Sequence, residues 1–306
     1  MRWLSIAFAA VVAAQSPTLT PQLRMAVNMT TVESAPVFLA VQAGAPAAIV
    51  PGGIPMLVDS TADAATNSET QALLRSTANP ELRIVLTLSE CYYRIVARRS
   101  AGIGRLADLR GKRIGTPANT SAQYYLVKML RTSGLTESDV AVIAMPVSDM
   151  AAAMGRGAVD AVSGWEPGSH DSIVAVGADA VVFQNRSVYR ELFNLNTTTA
   201  VLNDPAKRRL LVNLVRALVA ASKQVRERSP GVWPLLSSRI NVPETTIADV
   251  WTNFTFPATL LADTLDVLTE EEQWAAAVQK RSARGRAQLR MLIDDSVLRE
   301  ALAQGR

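Results

Sequence analysis

Short apolar runs rich in Val and Ile alternate with amphipathic stretches along the first two thirds of the chain. Apolar runs that are continuous, rather than alternating with polar residues, are typical of strands buried on both faces. The pattern predicts strands at Leu23–Val27, Met56–Asp59, Leu82–Leu88, Arg94–Arg98, Lys112–Gly115, Val140–Met145, Ala158–Val162, Ala180–Phe183 and Thr198–Leu202. It predicts intervening helices at Val32–Ala43, Ser68–Ser76, Ala122–Thr132 and Ser148–Met154. This alternation indicates an α/β fold with mainly parallel sheets.

Beyond residue 203 the pattern becomes almost entirely helical. Asp204 followed by Pro205 is a cap with proline at the first helical position, and it predicts a helix over Ala206–Arg228. The capping-box pattern Thr269–Glu272 predicts a helix over Glu270–Arg281. Two more helices are expected to start near Glu244 and Ser296.

The order of elements is compatible with two architectures. One is a single doubly wound sheet. The other has two α/β lobes, in which the chain crosses to the second lobe near Tyr93, returns near Asn196 and ends with helices on the first. The hydrophobic pattern alone leaves both open.

The first residues have the pattern of a secretory signal peptide, predicted to cover residues 1–14. Arg2 supplies a positive start, Trp3–Ala14 is apolar, and Val12-Ala13-Ala14 is a small-residue cleavage site. The segment is too short to span a bilayer. We therefore expect a secreted protein, periplasmic if the source is bacterial. The alternative interpretation is a buried first helix.

Composition changes this picture little. The chain has 306 residues, of which 49% are apolar and 19% charged, an ordinary globular balance. A net charge of only +4 with 5% aromatic residues argues against a nucleic-acid partner. Cys91 and His170 are the only residues of their types, so the sequence predicts no internal disulfide, no metal site and no cofactor.

The chain carries several Asn-X-Ser/Thr sequons, where about one or two would be expected by chance. They begin at Asn28, Asn119, Asn185, Asn196 and Asn253. This excess predicts a glycoprotein made on a eukaryotic secretory route. A glycan on Asn28 or Asn119 would obstruct the pocket predicted next.

Two polar loops follow predicted strands. The first, Thr116–Ser121, leads into a helix for which Thr120 or Ser121 is the predicted cap, and a helix start of this kind can hold a small anion. The second, Ser163–Pro167, contains Trp165 and Glu166. Ligands of open α/β sheets bind beside the carboxyl ends of strands, so the pattern indicates a small-molecule binder.

Trp165 and Glu166 give the second loop its chemical character. Trp165 is suited to form a wall against an apolar or ring-shaped ligand, although it could instead fill the core between lobes. A carboxylate at Glu166 would repel an anion. We expect Glu166 to accept a hydrogen bond from an amine or ring N–H, or to pair with an arginine across the cleft.

Several segments, taken together, resemble a known family. They are Ala35–Ala40, Ala62–Asn67, Ile103–Ile114, Thr116–Leu130 and Gly157–Pro167. These motifs are similar to those of the bacterial nitrate, taurine and aliphatic-sulfonate solute-binding proteins of ABC importers, and of their relative, the fungal thiamine-pyrimidine synthase. The likeness covers approximately residues 22–202.

The resemblance implies a two-lobed, periplasmic-binding-protein-like fold of type II with a helical C-terminal tail. The first lobe would comprise residues 22–93 and 197–306, and the second residues 94–196, with the ligand clamped between them. By motif position, the implied ligand-binding residues are Thr30, Thr31, Thr66, Asn67, Thr116, Asn119, Thr120, Ser121, Trp165 and Glu166.

One segment departs from the family pattern. Between the first helix and the second strand, the family usually has a Gly-aromatic turn and a hydrophobic strand. Gly44–Pro55 is instead rich in Ala, Pro and Gly and has no aromatic residue. We therefore expect a rebuilt lip on the first lobe, and sulfonate specificity does not follow from the resemblance.

The leading hypothesis is a secreted, monomeric, non-enzymatic solute-binding protein for a small organic or anionic metabolite that is sulfonate-, nitrate- or pyrimidine-like. If the source is bacterial, a membrane permease would be its partner. The alternative is an enzyme like the thiamine-pyrimidine synthase. That resemblance implies a cofactor lysine, a sacrificial histidine and a Cys-rich iron motif. Neither Cys91 nor His170 lies in such a motif. A third hypothesis is a secreted interaction protein whose cleft is shielded or collapsed.

Overall fold

The apolar runs form two separate sheets in a computed structural model that describes residues 21–303. The predicted signal peptide, residues 1–14, lies outside the described residues. The strands are β1 (Leu23–Val27), β2 (Ala47–Pro51), β3 (Ala64–Ser68), β4 (Leu82–Cys91), β5 (Arg94–Arg98), β6 (Arg113–Thr116), β7 (Ala141–Ala144), β8 (Ala161–Gly164), β9 (Ala180–Phe183), β10 (Glu191–Thr198) and β11 (Phe254–Thr255).

Helices flank both sheets and make up most of the C-terminal third. They are α1 (Ala35–Gln42), α2 (Pro55–Val58), α3 (Glu69–Ser76), α4 (Ser121–Arg131), α5 (Val147–Gly155), α6 (Gly168–Val176), α7 (Thr199–Asn203), α8 (Pro205–Arg226), α9 (Val232–Ile240), α10 (Glu244–Val250), α11 (Thr264–Val278), α12 (Arg286–Arg290) and α13 (Ser296–Ala303). No helix within residues 21–303 is long and apolar enough to cross a membrane.

The first sheet has the strand order β11-β4-β10-β3-β1-β2, and the second has the order β7-β6-β8-β5-β9. Strands β1, β2 and β3 run parallel, as do β6, β7 and β8, whereas β10 runs antiparallel to β3 and β4. We call the first sheet with its helices the first lobe, and the second sheet with its helices the second lobe. The expected α/β, two-lobed architecture with a helical C-terminal tail is confirmed, and the single doubly wound sheet is not formed.

The chain crosses between the lobes twice. The first crossing is at Tyr92 and Tyr93, between β4 and β5. The return lies in residues 184–190, because every residue of β10 pairs with a strand of the first sheet. The predicted lobe boundary at 196/197 falls inside β10, so sheet membership places the return earlier in the chain.

The C-terminal tail packs on the first lobe through α8. Leu211, Leu214, Val215 and Leu218 recur at the spacing of one helix face, and all four are fully buried. The helix starts where the sequence predicts, because the Asp204 carboxylate accepts hydrogen bonds from the backbone N–H groups of Ala206 at 2.8 Å and Lys207 at 3.1 Å. Packing of this face against α1 fixes the tail to the first lobe.

Two predicted strands are helices. Met56–Asp59 falls on α2, where Pro55 takes the first helical position. Thr198–Leu202 falls mostly on α7, because the Thr198 hydroxyl accepts a hydrogen bond from Val201 N and caps that helix. The real strand, β10, ends at Thr198 and was missed because buried polar residues interrupt its apolar pattern.

Two further expectations are wrong. A strand, β2, does form within Gly44–Pro55, and it tolerates Pro51 because it is an edge strand that pairs only with β1. Helix α11 begins at Thr264 rather than at Glu270. The Thr269 hydroxyl donates to the Leu265 carbonyl at 2.6 Å inside this helix, and therefore does not cap it.

Candidate functional site

The polar loops of the two lobes meet across a closed cleft. Gln71 Nε2 at the start of α3 donates to the Asn119 carbonyl of the second lobe at 2.8 Å. The Tyr93 hydroxyl, at the first crossing, lies 2.9 Å from Ser121 Oγ at the start of α4. The first contact joins α3, which follows β3, to the loop that follows β6, so the cleft lies at the carboxyl ends of parallel strands in both lobes.

A cavity of about 390 Å³ opens between the lobes at one end of this cleft. The first lobe contributes Thr30, Ile240 and Val242, and the second contributes Trp165 and the 146–151 segment among others. Most of the lining is apolar, and the volume is within the range of small-molecule pockets, about 300–1,000 Å³. The cavity can therefore hold a small solute in contact with both lobes.

Trp165 forms the wall of this cavity on the side of the second lobe. It follows β8 directly, it is half-buried, and its ring lies 6.1 Å from that of Tyr93 at an angle of 45°. Of the other predicted residues, Thr30 also lines the cavity. Both residues therefore lie where a bound solute would contact them.

The predicted residues of the first lobe other than Thr30 mainly hold their own loops together. Thr66 is fully buried, and its Oγ1 accepts a hydrogen bond from Asn28 N at 3.3 Å. Asn67 Oδ1 accepts from Ser68 N at 3.0 Å. The Thr31 hydroxyl donates to the Glu33 carboxylate.

The loop before α4 is organised differently from the sequence prediction. Thr120 is the N-cap residue of α4, as predicted, but its hydroxyl donates to the Pro117 carbonyl at 2.7 Å and accepts no hydrogen bond from the first N–H groups of the helix. The Gln123 side chain accepts from Asn119 N at 2.6 Å and thus occupies one N–H group that an anion would need. Thr116 is fully buried, and within residues 21–303 no hydrogen-bond partner reaches its hydroxyl.

Glu166 is fully buried and paired with Arg94. Its Oε1 lies 2.6 Å from Arg94 Nε and 2.5 Å from the nearer terminal nitrogen. Glu166 also accepts hydrogen bonds from His170 N at 3.0 Å and Asn253 Nδ2 at 3.2 Å. Burial raises the pKa of Glu166, and the Arg94 charge opposes that rise. Of the two roles expected for Glu166, this arrangement matches the arginine partner, although Arg94 comes from the neighbouring strand of the same lobe.

The sequence analysis missed a second set of buried acids around the cleft. Glu69 is fully buried, and its carboxylate accepts from the Tyr189 hydroxyl at 2.6 Å and from Leu192 N at 2.8 Å. Burial, opposed by these two hydrogen bonds, raises the pKa of Glu69 to about 7. Burial, together with the Glu69 charge, also raises the pKa of Glu271.

Glu33 and Glu191 form a further buried pair beside Cys91. Burial, with the neighbouring Glu33 charge, raises the pKa of Glu191 well above its ordinary value. Burial and the same acids raise the pKa of the Cys91 thiol. A raised thiol pKa is the opposite of what a nucleophilic cysteine needs.

The structure limits where glycans can be attached. Asn196 and Asn253 are 1% and 5% exposed. Asn196 Nδ2 donates to the Asn194 carbonyl at 3.0 Å, and Asn253 Oδ1 accepts from Gln184 Nε2 at 3.1 Å. A glycan at either position would require this part of the fold to open, so these two sequons do not support the predicted glycoprotein.

Two α/β lobes, joined by two crossings around a cleft at their strand ends, define the periplasmic-binding-protein-like fold. Residues 40–224 match the NMT1/THI5-like family, and the chain belongs to that family. The resemblance inferred from the sequence motifs is thereby confirmed.

Known proteins support this assignment to different extents. The chain is 36% identical over 74 residues to a Brucella abortus protein with the provisional designation of a binding protein, and the match spans 24% of this chain and only 23% of that relative. The alkanesulfonate-binding protein SsuA from Xanthomonas axonopodis, solved with MOPS, superimposes with a TM-score of 0.71 at 17% identity, covering 90% of this chain and 98% of SsuA. The desulfurization enzyme DSZB superimposes with a TM-score of 0.63 at 16% identity, covering 94% of this chain and all of DSZB. The fold is therefore shared by binding proteins and at least one enzyme.

Proposed function

We propose that this protein is a solute-binding protein whose lobes close on a small molecule. The observation that carries the proposal is the cavity of about 390 Å³ whose walls come from both lobes at their strand ends. A solute held there would contact Thr30 on one side and Trp165 on the other. Family membership and the binding proteins that share the fold support the same role.

The charges near the cleft favour a solute without a full negative charge. Arg94 is already paired with Glu166, so this pair carries no net charge toward a solute. Asp171 contributes a carboxylate to the lining of the cavity, and among the described residues no Lys or Arg lines it, so a full negative charge on the solute would be repelled without compensation. We therefore expect a neutral or hydrogen-bond-donating solute with an apolar or ring-shaped part, rather than a sulfonate.

Native mass spectrometry of the purified protein, with a denatured control, tests the proposal. A small mass that is lost on denaturation would support it and define the class of ligand. A thermal-shift panel should then compare sulfonates with neutral and amine-bearing ring compounds of matched size. Failure to bind any solute in both experiments would contradict the proposal.

Two tryptophan variants make the experiment specific to the cleft. Trp165→Ala removes the cavity wall, whereas Trp233→Ala removes a half-buried ring that packs on Trp251 in the C-terminal tail and does not line the cavity. We expect solute binding to weaken in the first variant and to persist in the second. Equal loss in both would show that the bound solute lies elsewhere.

A binding role is proposed in preference to catalysis because of the state of Cys91. DSZB shows that the fold can support an enzyme, but here the only thiol is buried and its pKa is raised. Recovery of an added solute unchanged after prolonged incubation would agree with a binding role. Turnover of the solute would favour the enzyme hypothesis instead.

We further propose that the protein is secreted as a monomer. If the source is bacterial, it would be periplasmic and would deliver its solute to a membrane permease. The signal-peptide pattern in residues 1–14 and the family support this setting. N-terminal sequencing of protein recovered from the secreted fraction tests it. A mature chain that still begins at Met1 would contradict cleavage at the predicted site.

A further inference from the structure

Three buried side chains from distant parts of the sequence converge at the first crossing. Glu33 follows β1, Cys91 ends β4, and Glu191 begins β10 directly opposite Cys91 in the sheet. One ligand atom from each lies within 4.8 Å of the other two. The three residues are 2%, 0% and 4% exposed, respectively.

Two carboxylate oxygens in this cluster have nothing to bind. Within residues 21–303, no hydrogen-bond donor reaches Glu33 Oε1 or Glu191 Oε2. A buried carboxylate oxygen without a partner is strongly disfavoured, so either shared protons or a bound cation must neutralise this cluster. The other Glu33 oxygen accepts a hydrogen bond from Thr31, which orients the carboxylate.

We propose that Glu33, Cys91 and Glu191 bind one divalent metal ion of the zinc class. A thiolate with two carboxylates matches the borderline-soft preference of Zn²⁺, whereas Mg²⁺ and Ca²⁺ prefer ligand sets made only of oxygen. Three protein ligands leave a fourth tetrahedral position for a water molecule. The hydrogen bond from Thr31 is the kind of outer contact that fixes a ligating carboxylate.

A metal ion at this location would connect distant parts of the first lobe. It would join the turn after β1 to the two longest strands of the first sheet, β4 and β10. Tyr93, two residues beyond Cys91, contacts Ser121 of the second lobe. The ion would therefore lie at the base of the cleft, although its binding does not depend on the proposed solute-binding role.

The test uses the full mature chain without a histidine tag, dialysed against Zn²⁺ and analysed for metal content. We expect one zinc per chain. Substitution with Co²⁺ should produce a sulfur-to-cobalt charge-transfer band, and because the chain has a single cysteine this band would identify Cys91 as the ligand. This second readout uses the unaltered protein and does not require any variant to fold.

Matched variants locate the site. We expect Cys91→Ser and Glu191→Gln to lose stoichiometric zinc, and Thr31→Val to weaken binding by about 10- to 100-fold through loss of the outer hydrogen bond. Glu271→Gln alters another buried carboxyl outside the cluster and should keep the metal, as should His170→Gln. Three results would overturn the proposal: zinc that is retained by Cys91→Ser, bound cobalt without the charge-transfer band, or no retained metal at all. The last of these would show that protons neutralise the cluster.

Discussion

Neutralising Glu69 should make the protein more stable at neutral pH. Glu69 is fully buried at the start of α3, where it binds the Tyr189 hydroxyl and the Leu192 N–H group. In Glu69→Gln the side-chain carbonyl can still accept from Leu192 N, and the amide can donate to the Tyr189 oxygen. The variant therefore keeps the shape and both hydrogen bonds while removing a buried charge.

The size of the effect follows from the pKa of Glu69, which rises from 4.5 in its ordinary state to about 7 in the folded protein. Between these two pH values the native state holds a proton that the unfolded chain releases. The contribution of Glu69 to the free energy of unfolding is therefore fully present below pH 4.5 and is lost as the pH rises through about 7. The loss is about 3 kcal/mol at 1.36 kcal/mol per pKa unit. Burial and the Glu69 charge also raise the pKa of Glu271, so the contribution of Glu271 to stability likewise falls as the pH rises.

The assay is urea unfolding followed by tryptophan fluorescence at a series of pH values from about 4.5 to 8, the interval set by the linkage between pKa and stability. The wild-type free energy of unfolding should fall across this interval, and that of Glu69→Gln should fall less. The difference between the two proteins should grow with pH. Glu81→Gln, at an exposed position, is the matched control and should follow the wild type. Parallel curves for wild type and Glu69→Gln would refute the reasoning.

Three other predictions concern the cleft and its surroundings. Arg94→Met should destabilise the protein by about 3–5 kcal/mol, because it leaves the Glu166 carboxylate buried without its partner, and Arg94→Met with Glu166→Gln should restore most of that stability in urea unfolding. Trp165→Ala should weaken binding of the solute found by native mass spectrometry by roughly 30-fold, as expected for the loss of about 2 kcal/mol from a central aromatic contact, and unchanged affinity in calorimetry would argue against a cleft role. When the chain is expressed in a glycosylating host, peptide mapping of the folded protein should find Asn196 and Asn253 unmodified, and high occupancy at either would contradict the structure.

The apolar pattern predicted the bounds of three strands, although one of them, β9, is an edge strand that is only partly buried. The bounds of β1, β5 and β9 agree with the predicted runs to the residue. Strand β2 was missed because its short run Ala47–Pro51 ends in proline and lies between Pro46 and Gly52, residues that are typical of a loop. Strand β10 was missed because its sequence, Glu-Leu-Phe-Asn-Leu-Asn-Thr-Thr, contains polar residues that the fold nevertheless buries.

The sequence predicted residues of the candidate site only where they lie in a single loop that follows a predicted strand. The position of Trp165 after β8 could be inferred, since strand ends are where α/β sheets place ligands. The cluster of Glu33, Cys91 and Glu191 could not, because more than fifty residues separate each from the next along the chain. Only the pairing of β10 with β4 places Cys91 opposite Glu191. Because β10 itself was not predicted, the sequence carried no signal that Glu191 faces Cys91.

The polar residues of β10 fix the register of this strand within the first sheet. Asn194 accepts a hydrogen bond from the Thr87 hydroxyl of β4 at 2.8 Å, and Asn196 donates to the Ala65 carbonyl of β3 at 3.3 Å. Both asparagines are buried, so a slip of β10 by one residue would turn them to the opposite face and leave their partners unmatched. A buried polar group that loses its partner costs about 1–3 kcal/mol, whereas leucines in these places would tolerate several registers. Residues 184–190 connect β10 to the second lobe, so the register of β10 fixes the position at which this connection enters the first sheet. The buried polar residues that obscured β10 in the sequence are therefore the ones that fix its register.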